Sequence, residues 1–258
     1  MRRFSLRTAA LALIFFSFFG AAFCEPECTP RNYHTQALVG RAIDGDTLIL
    51  RDGRRLRLIG IDAPEIGYDG AHSQPFSRAA QEALQSALGG AIIGVHYDQR
   101  AQDRYGRGLA HIFSAPVGNV QAWLLRHGLA LRLTLPPNLG FLSCYRRAES
   151  EARLARRGIW ALPDYQPLQA DAMDRNISGF KLIWGRISSW RNTRYGAYID
   201  LGPHLTLKIA RSDLVHFRAE DMPKWVGHQA LARGRVRRIR AQYQIRIHHP
   251  IDLAIQGL

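Results

Sequence analysis

Residues 37–65 read ALVGRAIDGDTLILRDGRRLRLIGIDAPE, and the alternation inside this stretch decides the fold. Short alternating runs, Ala37–Ile43, Thr47–Leu50 and Leu56–Ile61, follow one another with the period of strands that bury one face. Asp52-Gly53 supplies a hairpin turn between the second and third runs. Pro64 ends the third, because proline cannot donate to a ladder. Three short strands in succession open a β-meander. A two-residue turn at Asp52-Gly53 sets Leu48 opposite Arg57 and puts Asp46 and Arg57 on one face.

Working outward, the chain changes period. Ser73 is the expected N-cap of a helix with Pro75 in its first turn, Phe76, Ala80, Ala83, Leu84 and Leu88 on its apolar face, and Gly89-Gly90 as its stop. A strand over Ala91–Tyr97, a turn at Asp103–Gly106 and a strand over Leu109–Phe113 follow. Asn119 then caps a short helix ending at Gly128, and a third helix runs from about Ser143 to Arg157 with Gly158 beyond it. Strands with intervening helices on a small barrel make residues 36–160 an α+β domain.

Residues 161–178 carry Pro163 and Pro167 in a polar, weakly periodic stretch and read as a linker. Beyond it, Phe180–Trp190, Ala197–Leu201, Leu205–Ile209, Ala230–Ile239 and Tyr243–Ile247 alternate as strands, with a possible helix near Asp213–Phe217. Five strands over residues 179–258 predict a second small, mostly-β domain of OB type. Neither unit repeats the other in sequence.

The balance of charge is the unusual feature of the composition: 35 Lys plus Arg face 21 Asp plus Glu, a formal net charge of +14. Such an excess favours polyanionic partners. Residues 1–24 read as an export signal, with Arg2, Arg3 and Arg7 before an apolar run from Ala9 to Phe19 and small residues at Gly20-Ala21-Ala22. Setting those three arginines aside leaves 32 basic residues against the same 21 acidic ones, so the excess belongs to the mature chain. It is greatest over residues 161–258, where 15 basic residues face 8 acidic ones and Arg233, Arg235, Arg237, Arg238, Arg240 and Arg246 crowd together.

A secreted or periplasmic monomer with no stable membrane span is expected, an uncleaved anchor being the alternative. The only cysteines are Cys24, Cys28 and Cys144, which excludes CxxC zinc chemistry and allows one bridge in an oxidising compartment. Cys28 with Cys144 is the expected pair if the signal is cleaved after Cys24, and Cys24 competes if cleavage follows Ala22.

The chemistry-bearing residues lie around the opening meander. Asp46 and Asp62 converge where the third strand ends, and carboxylate, carbonyl and water oxygens are the donors that hard Ca²⁺ or Mg²⁺ prefers. Asp44-Gly45-Asp46 does not open an EF-hand, because Leu48 and Arg55 occupy its fifth and twelfth positions. Glu65 follows the bend, where it could take a proton from an attacking water. Arg57, and Arg107 on the Asp103–Arg107 turn beside Arg104 and Tyr105, are suited to clasp a phosphodiester. Singly, each of these residues is better read as a turn former or a surface ion pair; together they are the inventory of a metal-assisted phosphodiesterase.

The segments AIDGDT (42–47), RLIGIDAPE (57–65), DRYGRGLA (103–110), Asn119–Ala130 and the Ala148–Trp160 end resemble, in order and spacing, the staphylococcal nuclease (thermonuclease) family. The resemblance covers about Ala37 to Trp160. It implies a five-stranded OB-fold barrel with three helices, Ca²⁺ held by Asp46, Asp62 and the Ala63 carbonyl, Glu65 as general base, and Arg57 and Arg107 on the phosphate. Tyr105, with Arg104 beside it, would contact the substrate. It further implies DNA or RNA as substrate, loss of the 5′ oxygen and 3′-phosphate products. Ala63 stands where the family commonly has Thr, and Thr134 lies near the place of a base-stacking tyrosine.

The alternative is a non-catalytic nucleic-acid-binding relative, which would be expected to lack one of Asp46, Arg57, Asp62, Glu65 or Arg107; all five are present. The second unit is expected to add nucleic-acid affinity, with Trp184, Trp190 or Tyr195 as stacking surfaces, and to supply no catalytic group. Truncation before Ile177 is then expected to leave a folded enzyme.

Overall fold

The computed structural model of the chain describes residues 28–68, 70–173, 176–240 and 242–257. The expected export signal, Cys24 included, lies outside the described residues. The first unit holds strands β1 (Thr35–Ala42), β2 (Thr47–Leu50), β3 (Arg55–Leu58), β4 (Ile61–Asp62), β5 (Ile92–Gln102), β6 (Gly108–Ser114), β7 (Gly118–Asn119) and β8 (Leu131–Arg132). Its helices are α1 (Ser77–Leu88), α2 (Val120–Arg126) and α3 (Leu142–Leu154). β1 pairs antiparallel with β2 and β5, β2 with β3, and β5 with β6, while parallel pairing of β3 with β6 closes a five-stranded barrel.

Alternation explains why the barrel closes. Val39, Leu48, Leu50, Leu56, Leu58, Ile93, Val95, Ala110 and Ile112 are buried inside it, as a period of two requires of strands with one inner face. α1 brings Ala80, Leu84 and Leu88 to the same core. Asn119 caps α2 by accepting from the Ala122 N–H, 3.0 Å. α1 starts later than Ser73 leads one to expect: it is preceded by Phe76 in the left-handed region, and Ser73 Oγ instead accepts from the Gly67 N–H.

Cys28 and Cys144 are joined by a disulfide, with Cα atoms 5.5 Å apart and 116 residues of sequence between them. It ties the segment before β1 to α3. In the chain-entropy account so long a loop stabilises by about 4 to 5 kcal/mol. We expect Cys144→Ser to lower the urea midpoint by an amount equivalent to about 2–5 kcal/mol; a midpoint equal to that of the oxidised protein would contradict it.

The second unit holds β9 (Leu168–Gln169), β10 (Gly179–Thr193), β11 (Gly196–Leu201), β12 (Leu205–Ala210), β13 (Gln229–Ile239), β14 (Gln242–Arg246) and β15 (Leu253–Ile255). Here β10, β11, β12, β14 and β13 form a ring closed by β13 with β10, and β12 pairs parallel with β14. Counted along each unit, both rings run first, second, third, fifth, fourth, with third and fifth parallel. One topology thus appears twice in two sequences that share no repeat. The helix considered near Asp213–Phe217 is a single 3-10 turn, Leu214–His216.

Residues 161–178, expected as a linker, are instead built into the structure over much of their length. They include 3-10 turns at Pro163–Tyr165 and Ala170–Ala172, and β9 pairs parallel with β10. Ala170 and Met173 enter the second core. Leu131, Ala152, Ile159 and Trp160 of the first unit pack with Leu182 of the second.

The junction also carries buried charge. Both Glu149 carboxylate oxygens accept from the Arg233 guanidinium, and Glu149 Oε1 accepts from the Arg132 N–H at 2.7 Å. Arg132 in turn meets Asp252 at 2.9 Å, and Thr134 Oγ1 donates to Asp252 at 3.2 Å. Burial alone would raise the Glu149 carboxyl, but Arg233 and Arg132 hold it below the ordinary glutamate value. Cutting the chain before Ile177 would leave Glu149 and Arg132 without these partners, so the expected clean truncation does not fit the junction.

Candidate active site

The carboxylate of Asp46 is fixed from three directions. It accepts from the Ala63 N–H at 2.8 Å, meets Arg57 Nη1 at 2.6 Å and takes a longer bond from Thr47 Oγ1 at 3.3 Å. The bend that presents it is held by α1: Gln81 Nε2 donates to the Ile43 carbonyl at 2.9 Å, and Gln85 Oε1 accepts from the Ala42 N–H at 2.8 Å. Asp44 Oδ1 accepts from the Asp46 N–H at 2.9 Å. Gly45 is required because a Cβ there would lie 2.6 Å from the Cβ atoms of Ala63 and Ala80.

The register of this hairpin differs from the expected one. Leu50 pairs with Arg54 across a three-residue loop with Gly53 at φ +87°, so Thr47 faces Arg57 and Leu48 faces Leu56. A one-residue shift exchanges faces in a regular ladder. Asp46 still meets Arg57 because it precedes β2, in the bend, where alternation no longer applies, and the long Arg57 side chain reaches back. Arg57 Nη2 also approaches Asp62 Oδ1 at 3.5 Å.

β3 and β4 are parted at Gly60, whose φ of +83° and whose position against the Tyr145 ring leave no room for a Cβ. This kink turns Asp62, Ala63 and Glu65 toward the Asp46 bend. Buried Gln121, on α2, bridges Ile59 and Ala110 carbonyls with its amide nitrogen. Nothing in the local pattern announces that role for Gln121.

The electrostatics are those of crowded carboxylates. Burial pushes the Asp46 carboxyl up to about 7; Arg57 and the Ala63 N–H oppose the rise, while Asp44 and Asp62 add repulsion. Glu65 lies at the exposed rim, yet partial burial and then the charges of Asp44 and Asp62 raise it, against Arg57 and Arg235. Asp46 and Asp62 offer the carboxylate oxygens that a hard cation prefers, although in this structure they are paired with Arg57 and Arg235. Among the described residues no group of three or more His, Cys, Asp or Glu side chains is arranged to hold one.

Across the cleft, the β5–β6 turn carries the other candidates. Asp103 Oδ2 accepts from Arg107 Nε at 2.7 Å, and Arg104 Nη2 donates to the Tyr105 hydroxyl at 2.5 Å. Tyr105 is exposed, with the Arg104 and Arg107 guanidinium groups 4.7 and 5.8 Å from its ring centre. Arg57, Arg104, Tyr105 and Arg107 all line one cavity of about 720 Å³. Thr134 does not face that cavity; it is buried at the junction, bonded to Arg132 and Asp252.

The second unit reaches this site as well. Arg235 Nη2 lies 3.1 Å from Asp62 Oδ2. Of the proposed stacking surfaces, Trp190 packs against the second core, and Tyr195 is exposed on the β10–β11 hairpin beside Arg194.

The first unit is similar to known proteins. Residues 55–162 match the family model described as "Staphylococcal nuclease homologue", a span that includes Arg57, Asp62, Glu65 and Arg107 and stops before β9. The chain is 36% identical over 127 residues to the thermonuclease of Staphylococcus intermedius, covering 48% of this chain and 74% of that protein. It is 34% identical over 135 residues to an uncharacterized endonuclease of Escherichia coli O157:H7, covering 50% and 79%. An endonuclease of Bacillus subtilis matches at 29% over 146 residues, covering 53% and 69%.

Proposed function

This chain belongs to the staphylococcal nuclease family, and from that premise we propose that it is an exported, calcium-dependent nuclease that hydrolyses DNA or RNA to 3′-phosphate products. Nuclease activity follows from the family; the metal, the products and the compartment are our reading. The observation that carries it is the Arg57 guanidinium set between the Asp46 and Asp62 carboxylates, at 2.6 and 3.5 Å, on the wall of a cavity shared with Arg107.

Asp46 and Asp62, with the Ala63 carbonyl, would hold Ca²⁺, which when bound supplies positive charge against the phosphate oxygens. Glu65 takes a proton from the attacking water as the water oxygen bonds to phosphorus. The bond to the 5′ oxygen breaks, that oxygen is protonated from solvent, and the 3′ side keeps the phosphate. Arg57 and Arg107 donate to the oxygens that gain charge in the five-coordinate transition state; their forked donors fit two oxygens at once. Arg104 and Tyr105 stand at the mouth to orient the neighbouring nucleotide.

The test is digestion of plasmid and RNA by the mature protein with Ca²⁺ and again with a chelator. We expect cutting only with the metal, and cutting undiminished by chelation would end the metal assignment. Stability gives a second readout. The raised Asp46 value means that folding is favoured by protonation, an effect fully present below the ordinary value of 3.8 and lost as pH rises through about 7. The metal-free protein is therefore expected to lose melting temperature over that window, and added Ca²⁺ to restore most of it.

A further inference from the structure

The catalytic cleft does not end at Asp62. On the far side of that carboxylate a second groove of about 460 Å³ runs along the junction onto the second barrel. Asp62 lines this groove, whereas Arg57 lines the cavity on the other side, and Leu133 and Leu135 belong to both. The candidate scissile position therefore lies between two cavities, one walled by the first barrel alone and one by both.

The second groove has a definite chemistry. On β13, Arg233, Arg235 and Arg237 follow at a period of two and share a face, with Ala232 and Val236 turned into the core. Arg233 is consumed in docking against Glu149, and Arg235 reaches Asp62. Arg237 is exposed and Lys208 half-buried, and neither has a carboxylate partner among the described residues; both line the groove. Beside them Leu135 and Ile239 are 46% and 47% exposed on the same walls. Cations next to bare apolar side chains suit a backbone of phosphates carrying unpaired bases. A duplex, whose base faces are stacked inside, has no use for the apolar part.

We propose that this groove is a subsite for single-stranded polynucleotide, holding the chain on the side of the cleaved bond opposite the Arg107 cavity. The proposal rests on the nuclease reading above and names its substrate class. Arg235 contacts the backbone nearest the cleaved phosphate, and Arg237 and Lys208 contact the phosphates beyond it. The second barrel is then a wall of the substrate site, placed by the buried Glu149–Arg233 pair, and not a separate binding module on a tether.

The test compares a trinucleotide with a single strand of about 20 nucleotides, longer than the roughly 4–16 nucleotides that one such barrel covers. Wild type is expected to show a higher kcat/KM on the longer strand, and the double variant Lys208→Ala/Arg237→Ala to lose most of that gain. A control pair of equal charge away from the groove, Arg194→Ala/Arg211→Ala, should retain it. Binding is measured separately in the Glu65→Gln background by fluorescence anisotropy. There the groove variant should bind the strand on the order of ten-fold more weakly, with its salt slope reduced by about 1.4 for two lost single-strand contacts.

An equal loss in the control pair, or an unchanged length gain in the groove variant, would overturn the subsite. Equal affinity for a duplex of the same sequence would overturn its single-strand character. Absence of cleavage by wild type on either substrate would count against the nuclease reading, and the binding series would still decide the groove.

Discussion

Exchanging Glu65 for Gln is expected to lower kcat by about 10²- to 10⁴-fold, the contribution of a positioned general base, while leaving the melting temperature within a few degrees of wild type. The side chain sits at the rim of the cleft, and only its backbone is bonded, through Gln74 on both its N–H and its carbonyl. The amide therefore costs little in folding and removes only the proposed proton acceptor. A pH profile separates this role from simple damage. Partial burial and then Asp44 and Asp62 raise the Glu65 value, so the wild-type rate should climb with pH as that carboxyl loses its proton. The residual rate of Glu65→Gln should lack this limb. Wild-type turnover by the variant would remove Glu65 from the mechanism.

Glu149→Gln is expected to cost about 3–5 kcal/mol, the penalty for removing one partner of a buried ion pair, which is a large share of the roughly 5–15 kcal/mol that holds an ordinary domain together. Glu149 is 2% exposed and faces two guanidinium groups, Arg233 and Arg132, which would be left with Asp252 alone. Chemical denaturation measures the loss, and less than about 1 kcal/mol would show the pair to be ornamental. Replacing both Glu149 and Arg233 by apolar residues of similar size should recover much of it, since a dry interface needs no desolvation of charge. The same pair sets an acid limit. Its carboxyl is held below the ordinary 4.5, so its contribution is present above that value and lost as pH falls through the depressed one.

Much of the fold was legible because its signals are local. Alternating Leu48, Leu50, Leu56 and Leu58 mark the inner face of the first barrel whichever way the hairpin is closed, and Asn119 caps its helix through a bond to a residue three positions on. Asp46, Arg57 and Asp62 come from one hairpin and its exit, so their meeting could be read even with the loop one residue too short. What escaped depends on distant partners. Arg235 meets Asp62 across 173 residues of sequence, and Arg233 meets Glu149 across 84; no period or cap records such a contact. Residues 161–178 look like a tether because their polarity and prolines describe the backbone alone, whereas the parallel pairing of Leu168 with Ile183 is decided by the sheet they join. Thr134 likewise sits near a nucleotide-facing position in sequence but is claimed by Asp252 of the second barrel.

The three-arginine face of β13 constrains how this gene can change. Substitutions along the strand act one at a time, but inserting or deleting a single codon before Ala232 would turn Arg233, Arg235 and Arg237 inward and send Ala232 and Val236 to the junction. Docking, the approach to Asp62 and the proposed strand track would all fail in one step. The β10–β11 hairpin, where Arg194 and Tyr195 are exposed, carries no such coupling. Length variation among descendants of this chain should therefore collect at that hairpin, with residues 231–237 held to a fixed count even where their identities drift.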